Sequence, residues 1–142
     1  MYKDILLPID LNHPETWKKS LPIALEHNKA FGARLHIMTV LPDFGMSIVG
    51  QYFPKDFEKK ALAETNKKLH AFVSDNVPAS VDVQHIVAHG TIYKEILHAA
   101  EQIKADLIIM ASHRPELSDY LIGPNAARVV RHADVSVMVV RG

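Results

Sequence analysis

The sequence predicts an α/β domain built on a parallel sheet. Three observations carry this. Short, almost wholly apolar runs such as Ile5–Ile9 (ILLPI) and Leu107–Met110 recur along the chain, helical periodicity fills the segments between them, and no hairpin signal joins one run to the next. Runs that are apolar throughout belong to strands covered on both faces. Five strands alternating with four helices specify βαβ units with right-handed crossovers and helices on both faces of the sheet.

The first strand, Ile5–Ile9, is closed by Asp10 and a polar segment. Pro14 stands where a first helical turn tolerates proline, and Trp17, Leu21, Ala24, Leu25, Asn28 and Phe31 recur at helical spacing until Gly32 stops them. Pro22 either kinks this helix or delays its start. Arg34–Leu41 is the second strand, with Leu35, Ile37, Thr39 and Leu41 sharing a face. Pro42–Pro54 is a long connection rich in large apolar side chains. It reads either as a functional lid or interface, or as a loop folded over its own side chains.

Lys55–Asn76 is an amphipathic helix with Phe57, Ala61, Thr65, Leu69, Phe72 and Val73 along one stripe, ended by Pro78. Val81–Ala88 is a third strand whose alternating first half suits a sheet edge. Gly90 and Thr91 form a turn and N-cap for the helix Ile92–Lys104. The fourth strand follows, then a short helix, Asn125–His132, and a fifth strand, Val135–Val140.

The chain has 142 residues, the size of one domain, so residues 1–142 are expected to form a single unit. Acids and bases are equal in number, and without a summed positive field neither general nucleic-acid binding nor a polybasic membrane contact is expected. Cysteine is absent, which excludes disulfides, thiolate metal sites and cysteine nucleophiles. Apolar runs fall far short of the roughly 20 residues a spanning helix requires. The amino end enters a strand pattern directly, without a signal-peptide pattern, so a cytoplasmic location is the expectation.

The stretch Ala105–Ala127 carries the candidate site: a buried strand, a small polar turn at Ala111–Arg114, a loop, and a helix start after Gly123. In open α/β sheets ligands bind beyond the carboxyl ends of strands, where a helix N-terminus offers unpaired N–H groups to anions. This makes the stretch a candidate phosphate site. The chain has no GxxxxGK[ST] loop, no GxGxxG after a strand and no GxSxG elbow, so kinase-like and Rossmann dehydrogenase readings lose most of their weight.

LLPID at the amino end, TVL closing the second strand, the His89–Gly90 pair, LIIMASHR, the Gly123-led turn and the terminal VSVMVVR together resemble the universal stress protein family over essentially the whole chain. The pattern ASHRP…LxGxNAAxVVRHA is most similar to the family's small nucleotide-binding F/G branch. The resemblance implies a Rossmann-like (adenine nucleotide α-hydrolase-like) five-stranded parallel sheet in the order 3-2-1-4-5. It also implies a homodimer joined through Val135–Val140 and, in one branch, ATP with Mg2+ in the crevice at the first and fourth strands.

That branch carries G-x2-G-x9-G-[ST]. On this sequence the pattern falls on Ala111, Arg114, Gly123 and Pro124 with one spacer residue missing, so a single glycine survives. The positions still offer donors: Ser112, His113, the Arg114 guanidinium, which can grip phosphate bidentately, the side chain of Asn125, and the amides of Asn125 and Ala126 after Pro124. By the same resemblance Pro8, Ile9 and Asp10 line the adenosine end, with Leu41 and Met110 as apolar walls. For Asp10 the competing role is a turn aspartate bonded to its own backbone, and for Leu41 and Met110 it is simple core packing.

His85 and His89, four apart on a strand, point to one face and could begin a metal site, but no third ligand lies near them in sequence, and no metal is assigned. His132 complements the helix dipole, and Arg128 and Arg131 read as solvated helix-face charges, with contact of one of them to phosphate as the alternative. No residue takes the place of a general base, so any turnover is expected to be slow. The expectation is a cytoplasmic ATP-binding homodimer acting as a stress-response module, with a nucleotide-free dimeric module as the alternative. A nucleotide α-hydrolase enzyme lacks its SGGxDS-like loop here.

Overall fold

A computed structural model describes residues 1–42, 57–112 and 123–141. Five strands form one sheet: β1 (Asp4–Pro8), β2 (Arg34–Pro42), β3 (Val83–Gly90), β4 (Leu107–Ala111) and β5 (Ser136–Val140). Their order is β3-β2-β1-β4-β5 and every pairing is parallel, as expected. Four helices connect them: α1 (Ser20–Phe31), α2 (Phe57–Asn76), α3 (Ile92–Ile103) and α4 (Gly123–His132).

The central strands explain their own composition. β4 is buried at every position, and β1 at every position after Asp4, because both faces are covered. Ile5, Leu7, Leu35, Ile37, Leu107 and Ile109 pack with Leu21 and Ala24 of α1 and Leu69 and Phe72 of α2. The alternate residues, Leu6, Met38, Ile108 and Met110, meet Ile96, Ala99 and Ala100 of α3 and Ala126 and Val129 of α4. A one-residue register slip would exchange these two cores, so the pattern fixes the register.

Several boundaries differ from the sequence reading. α1 starts late: a 3-10 turn at Pro14–Thr16 precedes it, and Pro22 is the third residue of the helix proper, where no intrahelical N–H bond is lost. Gly32 ends α1 in the left-handed region at φ 64°, where its N–H donates to the Asn28 carbonyl. β3 begins at Val83 rather than Val81 and continues to Gly90, because Gly90 pairs with Pro42 at the end of β2. Ala111 belongs to β4, not to the turn after it.

A polar ladder crosses the sheet near the amino ends of the strands. His36 is buried, with Nε2 2.9 Å from Asp4 Oδ1 and Nδ1 against Gln84 Oε1. The Asp106 carboxylate accepts the N–H groups of Lys3 and Asp4 at 2.9 and 3.1 Å, fixing the entry of β1 beside β4. Among the described residues no helix is long and apolar enough to cross a membrane.

Candidate functional site

The site follows from topology. From β1 the chain turns to α1 and on to β2, and from β4 it turns to α4 and on to β5, on the opposite face and in the opposite direction. β1 and β4 pair at Ile5–Leu107 and Leu6–Ile108, and the pairing does not extend to Pro8 and Met110. The carboxyl ends of these neighbouring strands thus form the switch point where open α/β sheets bind ligands.

On the β1 side, Pro8 ends the strand and Ile9, buried, continues the β2 ladder by donating its N–H to the Met38 carbonyl at 2.8 Å. Asp10 organises the next turn. Its Oδ1 accepts the Asn12 N–H at 3.0 Å, its Oδ2 lies 2.8 Å from His13 Nδ1, and its own N–H donates to Thr16 Oγ1 at 2.9 Å. The Thr16 hydroxyl is buried and donates to the His13 carbonyl at 2.7 Å. The turn role weighed for Asp10 is therefore occupied, with both carboxylate oxygens engaged inside the turn. His13 and Thr16 were not singled out from sequence, although Asp10 with a histidine three residues on and a threonine six on is a readable turn signature.

On the β4 side, Met110 and Ala111 are buried strand residues, and the Ser112 N–H donates to the Val140 carbonyl at 2.7 Å, prolonging the β4–β5 ladder. Leu41 is partly buried near the carboxyl end of β2, in register with His89. Gly123, Pro124, Asn125 and Ala126 are the first four residues of α4, and Pro124 sits in the first turn without the loss of an intrahelical bond. His113 and Arg114 lie outside the described residues, as do residues 43–54 of the long connection.

Asn125 is buried, and its Oδ1 accepts the Tyr93 N–H at 3.0 Å. Tyr93 is the second residue of α3, so Asn125 supplies the cap that the sequence assigns to Thr91, which occupies the N-cap position without a side-chain cap bond. Arg128, read as solvated, sits over the Tyr93 ring at 5.3 Å from its centroid, a cation–π contact. His132 lies in the last turn of α4, as its dipole role requires, and its ring is 6.2 Å from that of Tyr93.

The two strand histidines go separate ways. The His85 ring stacks on that of His70 with centroids 3.7 Å apart, while His89 Nδ1 is 3.1 Å from Glu58 Oε1. Stacked rings hold their nitrogen lone pairs in parallel planes and do not converge on an ion. Among the described residues no group of three or more metal-ligating side chains is present.

A doubly wound parallel sheet with this strand order, and with its switch point between β1 and β4, is a Rossmann-like α/β domain. The universal stress protein family model matches residues 1–141, and the chain belongs to that family. It is 31% identical over 144 residues to Universal stress protein G of Escherichia coli O157:H7, covering 99% of this chain and all of that one. To Universal stress protein MJ0577 of Methanocaldococcus jannaschii it is 26% identical over 161 residues, covering 99% and 96% of the two chains. The solved structure of MJ0577 superposes with a TM-score of 0.72 over 100% of this chain and 97% of that one. A universal stress protein solved in complex with cAMP shares the fold at a TM-score of 0.60 and 22% identity, covering 99% and 97%.

Proposed function

We propose that this chain is an ATP-binding regulatory module of the stress response, cytoplasmic and homodimeric, which takes the nucleotide with its Mg2+ beyond the carboxyl ends of β1 and β4. The observation that carries the reading is that Pro8–Asp10 and Met110–Ser112 end neighbouring strands at the switch point, with α4 the helix that follows β4. The cAMP-bound relative supports it to the extent that its fold accommodates an adenine nucleotide.

The residues fit a nucleotide unevenly. The first amides of α4, those of Gly123 and Asn125, belong to the set a helix leaves without intrahelical partners, and they suit phosphate oxygens, with Ala126 following as the fourth residue of the helix. Ser112 has its N–H in the sheet, so its hydroxyl is the group for phosphate. Phosphate takes donors only, so Asn125 would serve through its amide nitrogen while its oxygen holds α3. His113 and Arg114 complete the phosphate end in this reading, Asp10 orders the adenosine end through its turn, and Leu41 and Met110 form the apolar walls. Bound Mg2+ would supply charge neutralisation to the triphosphate. No residue is assigned a catalytic role.

One observation favours a second reading, a dimeric module without nucleotide. Asp10, the Ser112 amide and the Asn125 oxygen are already spent on the protein's own turns, ladder and cap. Titrating ATP into wild type and into Arg114→Ala separates the two, since the second reading expects no binding to either. The substitution weakens ATP binding at least tenfold if the guanidinium grips phosphate, and an unaltered affinity removes Arg114 from the site.

A further inference from the structure

We propose that the stacked pair His70 and His85 is an acid-responsive latch, which holds α2 against the sheet edge at neutral pH and releases the middle turns of α2 when both rings carry protons. This goes beyond nucleotide binding and does not depend on it.

The geometry brings two titratable rings face to face across the contact between α2 and β3, 3.7 Å apart and 15° from parallel. His70 is on the solvent side and His85 is partly buried beneath it. A proton on each ring would place two like charges within a ring's thickness, which disfavours the doubly protonated stack. His85 is accordingly held below its ordinary value of 6.5, first by burial and then by His70.

The neighbours on each packed element reinforce the response. On α2, Asn66, Lys67, Val73 and Ser74 lie one turn from His70, and the Lys67 charge adds to the repulsion. On β3, Val83 and Val87 flank His85 on the same face, and on β2 Ile37 is its partner in register, so no carboxylate offsets the charge there. The carboxylates nearest in the chain are Glu64 and Asp75 on α2 and Asp82 just before β3, all of them exposed, while Glu58, three turns back on α2, is paired with His89.

The latch also leads back toward the candidate site. Leu69 and Phe72, which flank His70, are the buried residues of α2. The Phe72 ring meets that of Trp17 edge-on at 4.9 Å, and Trp17 directly follows Thr16, which holds the Asp10 turn. An acid-loosened α2 therefore loses packing beneath the turn at the end of β1.

The test is amide hydrogen exchange of Phe57–Asn76 in the full chain between pH 7.5 and 5.5, corrected for intrinsic exchange rates, in wild type and in His70→Phe. Phenylalanine keeps a flat ring over His85 but carries no proton. If the loosened state binds one more proton, protection in wild type falls by up to about tenfold per pH unit below the midpoint, and in His70→Phe, where burial alone acts on His85, it falls less steeply. His85→Phe repeats the comparison from the strand side. Level protection in wild type, or an equal fall in either variant, overturns the proposal.

Discussion

Asn125 Oδ1 accepts the backbone N–H of Tyr93 across 32 residues of chain, so the first turn of α4 caps the first turn of α3. The bond ties together two helices that leave the sheet after different strands, β3 and β4, on the same face. Removing the oxygen leaves a half-buried N–H without its acceptor. Asn125→Ala is expected to cost about 1–3 kcal/mol in urea unfolding, and Asn125→Asp, which keeps an acceptor, to cost clearly less. Equal losses in the two variants would show that the cap contributes little.

Lys104 ends α3 in the left-handed region at φ 55°, the one non-glycine residue with positive φ among those described. Its N–H closes onto the carbonyls of Ala100 and Glu101, a backbone arrangement that glycine makes without steric cost. Lys104→Gly is expected to stabilise the fold by about 1 kcal/mol and to raise Tm by roughly 2–4 °C. A lower Tm would mean that the lysine side chain contributes more than its backbone strain costs.

Stability should fall on the acid side. His85 has a folded value below 6.5, so the folded chain binds fewer protons than the unfolded one in that range. Its contribution is complete above about 6.5 and is lost as the pH drops below it, with a slope of at most about 1.4 kcal/mol per pH unit for one proton. Urea midpoints measured from pH 7.5 to 5.0 should decline less steeply in His85→Phe than in wild type. Parallel declines would assign the acid sensitivity to other groups.

The proposed homodimer can be tested at the sheet edge. β5 has a neighbour on one side only, and Val139 is 36% exposed, an apolar residue on an uncharged edge strand. Val137 packs toward α3 and α4, so a charge there would damage the core as well as the edge. Val139→Lys is the cleaner probe. It is expected to give monomers in sedimentation at concentrations where wild type is dimeric, and a variant that remains dimeric would move the interface elsewhere.

The fold was legible because its signals are local. The unbroken apolar runs of β1 and β4 announce strands covered on both faces, and the alternation of elements leaves a doubly wound sheet as the simplest arrangement. What could not be read depends on partners distant in sequence. β3 reaches Gly90 because Pro42 is there to pair with it, and Asn125 looks like a ligand residue until Tyr93 appears opposite its oxygen. Arg128 reads as a surface charge because its partner, the Tyr93 ring, belongs to another helix. The His70–His85 stack needs the docking angle of α2 on β3, which no periodicity encodes. Even the ambiguity at Pro22 was decided by what precedes it, a separate 3-10 turn anchored on Asp10.

The central claim is nucleotide binding at the β1–β4 switch point, and calorimetric titration of ATP with Mg2+ into the purified protein tests it most directly. Mass spectrometry should first establish that no nucleotide has been carried through purification. Saturable binding with a dissociation constant on the order of micromolar, about −8 kcal/mol, is the predicted result. No heat of binding to verified nucleotide-free protein would contradict it, and would leave the β5 edge as the place to seek function.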